Sequence, residues 1–217
     1  MMFAIKDFLF NLYVKLQNPS LKIFRRVVIN KKDYFKKLIT FGKNVQLLNN
    51  TYLTGKVHID NYSYINNNTE LLASEKHTIS IGKYCSIARN CFIVSANDHD
   101  INSITTYPIS QYLNNTKTKE KENNKKELGG DIQIGNDVWV GANTTILPNT
   151  TIEDGAVIGA NSLITQNTKI KQYEIWAGNP AKKLKDRFTK EKQEKIKNTQ
   201  WWNLTIKEIK EKAELFQ

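Results

Sequence analysis

Every sixth residue from Ile134 to Ile170 is aliphatic and β-branched: Ile134, Val140, Ile146, Ile152, Ile158, Ile164 and Ile170. The residue two before each of the last six is small or β-branched: Val138, Thr144, Thr150, Ala156, Ser162 and Thr168. A spacing of two belongs to a strand, whose alternate side chains share one face. Two inward positions followed by a polar corner make a unit of six. The corners recur in phase at Asn136-Asp137, Asn143, Pro148-Asn149, Asp154-Gly155 and Asn161. A β-sandwich also alternates, but it does not hold one phase over seven units. The period is that of a parallel β-helix, in which three units close a triangular coil stacked on the next at about 4.8 Å.

The same frame runs backwards through Phe41, Leu47, Leu53, Ile59, Ile65 and Leu71, and the paired small positions are Val45, Thr51, Val57, Ser63 and Thr69. Four residues are then inserted, and the frame resumes at Ile81, Ile87 and Ile93. After Val94 it stops until Ile132, so residues 95–131 leave the wall as one long excursion. A loop of this length inside a compact repeat is usually functional or disordered. The expected organisation is a helical extension over 1–40, a β-helix over 41–176 and a helical tail over 177–217. In the tail, Ala177-Gly178-Asn179-Pro180 ends the coil. Lys182 to Lys197 reads as a charged helix, and Leu204 to Phe216 as a final amphipathic one.

In the extension, Phe3, Phe8, Leu12 and Leu16 sit at helical spacing, Asn18-Pro19-Ser20 breaks the pattern, and Leu21 to Leu38 reads as a second basic amphipathic stretch. The first stretch is too short, and too interrupted by Lys6, Asn11 and Lys15, to span a bilayer. It has no small-residue cleavage site of a secretory leader. The expectation is a cap on the open end of the coil, as repeat proteins need. The alternative is an anchor lying on an anionic membrane. The expected setting is cytoplasmic, with peripheral contact at the inner membrane face if the anchor holds.

The chain carries 32 Lys+Arg against 21 Asp+Glu, a net charge of +11. No aromatic-basic recognition pattern accompanies the lysines, so an anionic cofactor explains the charge more simply than nucleic acid. Cys85 and Cys91 occupy small inward positions six apart, hence different walls, and read as buried hydrophobes and not as a disulfide or a metal pair. There is no zinc-spaced Cys/His pair, no phosphate loop and no nucleophile elbow. No metal is expected. What remains is direct attack by an external nucleophile activated by a base. His58 and His77 read as solvated. His99 stands at the root of the excursion between Asp98 and Asp100. It is either a general base working near neutral pH or a loop histidine without a role.

Certain stretches carry a resemblance. Ile134-Gly-Asn-Asp-Val-Trp-Val-Gly141, Gly159-Ala-Asn-Ser162, Ala177-Gly-Asn-Pro-Ala181 and Leu184-Lys-Asp-Arg-Phe188 resemble the hexapeptide acyltransferases. They are most similar to the xenobiotic branch that includes streptogramin A and type B chloramphenicol acetyltransferases. Asn97-Asp98-His99, Tyr107-Pro108 and Trp201-Trp202-Asn203 match it too, so the resemblance spans about residues 79 to 205. It implies a left-handed parallel β-helix, acetyl-CoA as acyl donor, and a homotrimer whose active sites lie between subunits. It implies that His99 is the base and that Trp139 packs near the base and the thioester. Gly141, Ala142, Ala160, Thr165 and Gln166 match positions along the pantetheine channel, and Lys182 and Lys185 match basic positions near the CoA phosphates. The bland reading of Ala142 and Ala160 is corner packing.

The chain departs from those antibiotic-modifying enzymes in about 40 extra N-terminal residues and in a shorter excursion rich in lysine and asparagine. Drug pockets tend to be apolar. The excursion offers mainly Ile101, Ile104, Tyr107, Ile109, Tyr112 and Leu113 for such a pocket, with Tyr107 a substrate-binding candidate, whereas Asp98, Asp100, Asn102 and the run Asn66-Asn67-Asn68 suit a polyhydroxy acceptor. The expected activity is acetyl transfer from acetyl-CoA to a hydroxyl of a sugar or surface polysaccharide such as a capsule. An antibiotic O-acetyltransferase and a non-catalytic trimeric scaffold are the alternatives.

Overall fold

The computed structural model describes residues 2–24, 26–96, 102, 104–107, 109–112 and 129–216. A first helix, α1 (Met2–Gln17), leads into a three-sided prism of stacked coils. Face A carries β1 (Lys22–Ile23), β4 (Gln46–Leu47), β7 (Tyr64–Ile65), β10 (Ser86–Ile87), β13 (Trp139–Val140), β16 (Val157–Ile158) and β19 (Glu174–Gly178). Face B carries β2 (Val28–Ile29), β5 (Tyr52–Thr54), β8 (Glu70–Leu72), β11 (Phe92–Val94), β14 (Thr145–Ile146) and β17 (Leu163–Ile164). Face C carries β3 (Ile39–Phe41), β6 (Lys56–Ile59), β9 (Thr78–Ile81), β12 (Ile132–Ile134), β15 (Thr150–Ile152) and β18 (Lys169–Ile170). Consecutive strands visit A, B and C in turn, and stacked strands are parallel, as the six-residue period predicts. The final strand, β20 (Ala181–Asp186), turns back antiparallel on β19.

The phase fixes the core. Leu47, Ile65, Ile87, Val140 and Ile158 stack in register behind face A, and all are fully buried. Each such side chain contributes about 1.5–3 kcal/mol relative to exposure. The small inward position does more than leave room. The hydroxyls of Ser63, Thr69 and Thr144 donate to the corner carbonyls of Gly82, Ala88 and Gly159. Cys85 and Cys91 take the same place, on faces A and B, and point their thiols at the carbonyls of Gly135 and Gly141. Both are free, and burial pushes the Cys85 thiol up to about 12. A buried carbonyl that would otherwise lack a donor is the physical reason for Ser, Thr or Cys there.

Most corners turn through one residue of left-handed backbone; the inserted turn before β9 is the exception among the described corners. On the edge between A and B these residues are Asn50, Asn68, Asn90, Asn143 and Asn161, with φ between 57° and 59°. Their side-chain amides form a ladder. Asn50 donates to Asn68 (2.8 Å), Asn68 to Asn90 (3.1 Å), Asn90 to Asn143 (2.9 Å) and Asn143 to Asn161 (3.0 Å).

Insertions leave the stack intact because they sit between strands. Stacked partners are 18 residues apart where the coil is regular, 24 across α2 (Lys31–Phe35), 22 across the turn before β9 and 53 across the excursion. The first coil begins at Lys22, ahead of Phe41, so most of the basic amphipathic stretch Leu21 to Leu38, expected to belong to the helical extension, is wall. Leu21, Val27, Ile29 and Ile39 are buried in it, and only α2 is helical. The tail also differs from the helix expected over Lys182 to Lys197. Residues Ala181–Asp186 pair with β19 as a hairpin, and helix α3 spans Lys190–Thr199, followed by α4 (Ile206–Glu211).

The ladder gives a graded test. Asn143→Ala forces a Cβ-bearing residue without local hydrogen bonding into the left-handed region and breaks two rungs. It should lower stability by roughly 2 kcal/mol. Asn143→Gly loses the same rungs but relieves the backbone, and should lose about half as much. Thermal or urea unfolding of both variants checks the order.

Candidate active site

Outward side chains on face A alternate with the buried ones. The register aligns Gln46, Tyr64, Ser86, Trp139, Val157 and Ile175 in one outer column. Trp139 is 55% exposed, although an indole of its size is usually largely covered. A rigid strand thus holds a large apolar plane open on the surface.

Immediately after each strand the chain turns the A–B edge. Here the stacked residues are Gly141-Ala142, Gly159-Ala160 and Ala177-Gly178, a strip with no side chain longer than a methyl group. The packing is close. A Cβ on Gly141 would come within 2.5 Å of the Ala160 nitrogen, and one on Gly159 within 2.8 Å of the Ala177 Cβ. Small residues are required by the fold at the glycines. At Ala142 and Ala160 they leave backbone accessible beside Trp139. A long flexible ligand chain can approach main-chain groups along such a strip.

The β19–β20 hairpin closes the upper end. Lys185 pairs with Ile175, and Lys182 with Ala177, so both lysines belong to the face and edge that carry Trp139 and the small strip. Both are exposed, and neither has a carboxylate partner among the described residues. The neighbouring Lys183 is committed elsewhere, to Glu174 and Asp186 at 2.8 Å each. Glu174 anchors the hairpin, since it also accepts from the Trp176 indole (2.8 Å) and the Lys171 amide (3.0 Å). Burial alone would push its carboxyl up. The hydrogen bonds from Lys183, Trp176 and Lys171 outweigh that, and the carboxyl lies below its usual range.

The excursion is rooted on the edge between B and C, which is the edge opposite face A. Its base is closed by the Gly130 amide donating to the Ser95 carbonyl (2.9 Å) and by a bridge between Ala96 and Gly129. His99, Asp98 and Asp100 lie outside the described residues. Tyr107 is described and exposed, with its ring stacked on Tyr112 at 6.3 Å. Thr165 and Gln166 also turn the B–C edge, two coils above the root, and are not joined to Ala142 and Ala160. Asn66, Asn67 and Asn68 form an A–B corner. Asn66 accepts from the Asn67 amide (2.7 Å), and Asn68 is a rung of the ladder.

The other two histidines separate. His58 is exposed on the outer side of face C, against Thr40. His77 is not simply solvated. Its ring lies on the loop root, where a Cβ added to Gly129 would come within 2.7 Å of it, and its Nε2 is buried without a hydrogen-bond partner. Sequence reasoning passed over it because only the four-residue insertion, now seen to abut residue 129, gave a hint. On the third edge Tyr62 stacks on Tyr84 at 4.8 Å, and Trp201 of the tail packs on Tyr84. Arg187 bonds Asp137 (3.1 Å), and a groove of about 830 Å³ opens between them and the tail helices.

Residues 131–166 match the bacterial transferase hexapeptide family (six repeats). The chain is 37% identical over 136 residues to a probable macrolide acetyltransferase of Lysinibacillus sphaericus, covering 62% of this chain and 74% of that protein. Among solved structures it is similar to AntD, an N-acyltransferase from Bacillus cereus, in complex with dTDP and 3-hydroxybutyryl-CoA. The TM-score is 0.62, with 25% identity over 85% of this chain and 89% of that one. A variant of AntD in complex with dTDP-4-amino-4,6-dideoxyglucose and coenzyme A gives a TM-score of 0.60 and 25% identity, over 88% and 96%.

Two measurements follow from the hairpin. If Lys182 and Lys185 hold an anion by charge, changing both to Ala should raise KM for an acyl-CoA, more at low salt than at high salt. An unchanged KM would assign them to solvent. Glu174 has a lowered folded pKa, so its contribution to stability is present above the ordinary glutamate value and is lost as pH falls through the folded value. Glu174→Gln should therefore lower the melting temperature at neutral pH and flatten its decline on acidification.

Proposed function

This chain belongs to the bacterial hexapeptide transferases, and on that premise we propose that it transfers an acetyl group from acetyl-CoA to a hydroxyl of a sugar, as a nucleotide-linked or polysaccharide unit. Acyl transfer is common to the relatives. The observation that best supports the donor site is the small-residue strip beside exposed Trp139, ending at two lysines without a carboxylate partner among the described residues. Pantetheine fits along Ala142 and Ala160, with the phosphates toward Lys182 and Lys185. A dTDP-sugar and CoA bound to a structural neighbour support the sugar and the donor.

In this reading the imidazole of His99 accepts the proton of the acceptor hydroxyl. The oxygen attacks the thioester carbonyl carbon, a C–O bond forms and the C–S bond breaks. The proton on His99 passes to the departing CoA sulfur. No acyl-enzyme is needed. Asp98 or Asp100 orients the imidazole, and Trp139 walls the thioester. A reaction that uses acetyl-CoA carries with it a cytoplasmic setting.

The site of this reading is shared between copies. Loop root and Trp139 lie on opposite sides of one prism, so a neighbour's face A meets the loop more readily than the chain's own. The outer faces differ in a way that supports this. Face C is polar, with Thr40, His58, Ser80, Gln133, Thr151 and Lys169. Face B is mixed, with Val28, Tyr52, Phe92 and Leu163 alongside Glu70 and Thr145. A homotrimer would cover the apolar sides and leave face C in water. Thr165 and Gln166, on the edge of the loop root, would then face the strip of the adjacent subunit.

A second acceptor is favoured by the macrolide relative and by the exposed Ile104, Ile109 and Tyr112 of the excursion. These would suit an apolar antibiotic. Acetyl-CoA consumption with a panel of nucleotide sugars, oligosaccharides and macrolides decides between them. A turnover confined to macrolides would overturn the sugar.

His99→Ala should lower kcat by about 10²–10⁴ while CoA binding persists. Retention of more than about a tenth of the rate would remove His99 as the base. Mixing inactive His99→Ala and Trp139→Ala proteins, after subunit exchange, should restore part of the activity, because some interfaces then pair an intact loop with an intact Trp139. No recovery would mean that each site is built within one chain.

A further inference from the structure

The lowest coil has no coil beneath it, and α1 covers it. Phe10 and Val14 are buried against the wall, the Asn11 amide donates to the Val27 carbonyl (2.7 Å), and Asp7 pairs with Lys31 (3.1 Å). A helix that served only as a cap would be polar on its other side. This one is not. Phe8, Leu9, Leu12, Tyr13 and Leu16 are all exposed, Phe8 and Leu16 by about two thirds. At about 100° per residue they form an arc of about 140° facing away from Phe10 and Val14. Phe35 at the end of α2, also exposed, packs on Phe10 and Tyr13 at 5.6 and 5.8 Å and widens the patch.

The charge around this patch is predominantly positive, although Lys36 is paired with Glu75. Residues 1–40 contain nine Lys or Arg and two acids, +7 of the chain's +11. Both acids are used internally. Asp7 holds Lys31, and buried Asp33 accepts from the Gly55 amide (2.7 Å) and the Thr54 hydroxyl (2.9 Å). Lys15, Lys22, Arg26, Lys32 and Lys37 are exposed and have no carboxylate partner among the described residues. Among those residues, no helix is long and apolar enough to cross a membrane.

We propose that this end of the prism docks on an anionic phospholipid surface. Helix α1 lies in the interface plane, with Phe8, Leu9, Leu12 and Leu16 among the acyl chains and the lysines at the headgroups. Apolar burial and attraction to anionic lipid act together in such binding. Capping and docking use opposite faces of one helix and do not compete. A second copy of the chain is the other candidate occupant. Two such basic rims brought together repel, whereas an anionic bilayer complements them.

The test is co-sedimentation of the full chain with phosphatidylcholine vesicles, with and without phosphatidylglycerol. Light scattering and a melting temperature are measured on each protein. The wild type should bind only the anionic vesicles and release at high salt. Leu12→Glu/Leu16→Glu should bind at least about ten-fold more weakly with its melting temperature kept, since both side chains point away from the coil. A second variant, Lys15→Ala/Lys22→Ala/Lys37→Ala, leaves the apolar stripe intact and should weaken anionic binding comparably. It decides the matter should the acidic variant fold poorly. Failure of the wild type to bind, equal binding to neutral vesicles, or a smaller oligomer for the acidic variant without vesicle binding by the wild type would each overturn the proposal. The last would assign the stripe to contact between copies.

Discussion

A coil that must superpose on its neighbours has to turn sharply at each corner, and this chain does so at most corners by entering the left-handed region once. That conformation costs roughly 1–2 kcal/mol for most residues with a Cβ. The protein meets it differently on each edge. On the A–B edge asparagines adopt it and recover energy through the amide ladder. On the C–A edge Tyr62 and Tyr84 adopt it and stack on each other, and Gly155 takes it without a Cβ. With the corners stacked in this way, the inward aliphatics superpose, small hydroxyls such as Ser63 and Thr69 meet the carbonyls of the next turn, and Trp139 is held on a regular wall.

The wall was legible wherever its phase was uninterrupted. Ile134 to Ile170 announced their register in sequence, and the structure has it. The first coil was equally in phase, since Ile23, Ile29 and Phe41 keep the same six-residue spacing. The inserted α2 is itself one unit long, so the period runs through it unbroken and Phe35 falls on an inward position in sequence yet is exposed in space. An insertion that preserves the period leaves no local cue. Strand β20 was hidden for a different reason. Its residues Ala181 to Asp186 have no apolar alternation, and their conformation comes from pairing with β19 and from the Lys183–Glu174 ion pair, a contact that propensity does not encode.

The site was legible as residue types and not as a place. Ala160 and Thr165 are five apart in sequence yet turn different edges, because one side of the prism lies between them. Sequence order along a solenoid reports height well and azimuth only when the corners are counted. Counting assigns Gly141, Ala142, Ala160, Lys182 and Lys185 to one surface with Trp139, and Thr165 and Gln166 to the edge of the excursion. It also gives Asn66 to Asn68 a structural occupation at a corner. The charge of the chain divides in the same geometric way, with most of the net excess in residues 1–40, where α1 sits, and Lys182 and Lys185 at the other end, beside the hairpin.

The excursion leaves and re-enters the wall through a clasp only a few residues wide, Ser95-Ala96 against Gly129-Gly130. Above and below it, Ile93 still aligns with Ile146 and Ile81 with Ile134, as though nothing had been inserted. The length and sequence of the segment between the clasp residues are therefore not read by the stack. Such a segment can lengthen, shorten or be exchanged through evolution without altering the surface around Trp139. Under the proposed function, donor recognition on the wall and acceptor recognition on the insertion would be inherited as separable traits, and one prism could be re-addressed to new acceptors by changing a single loop.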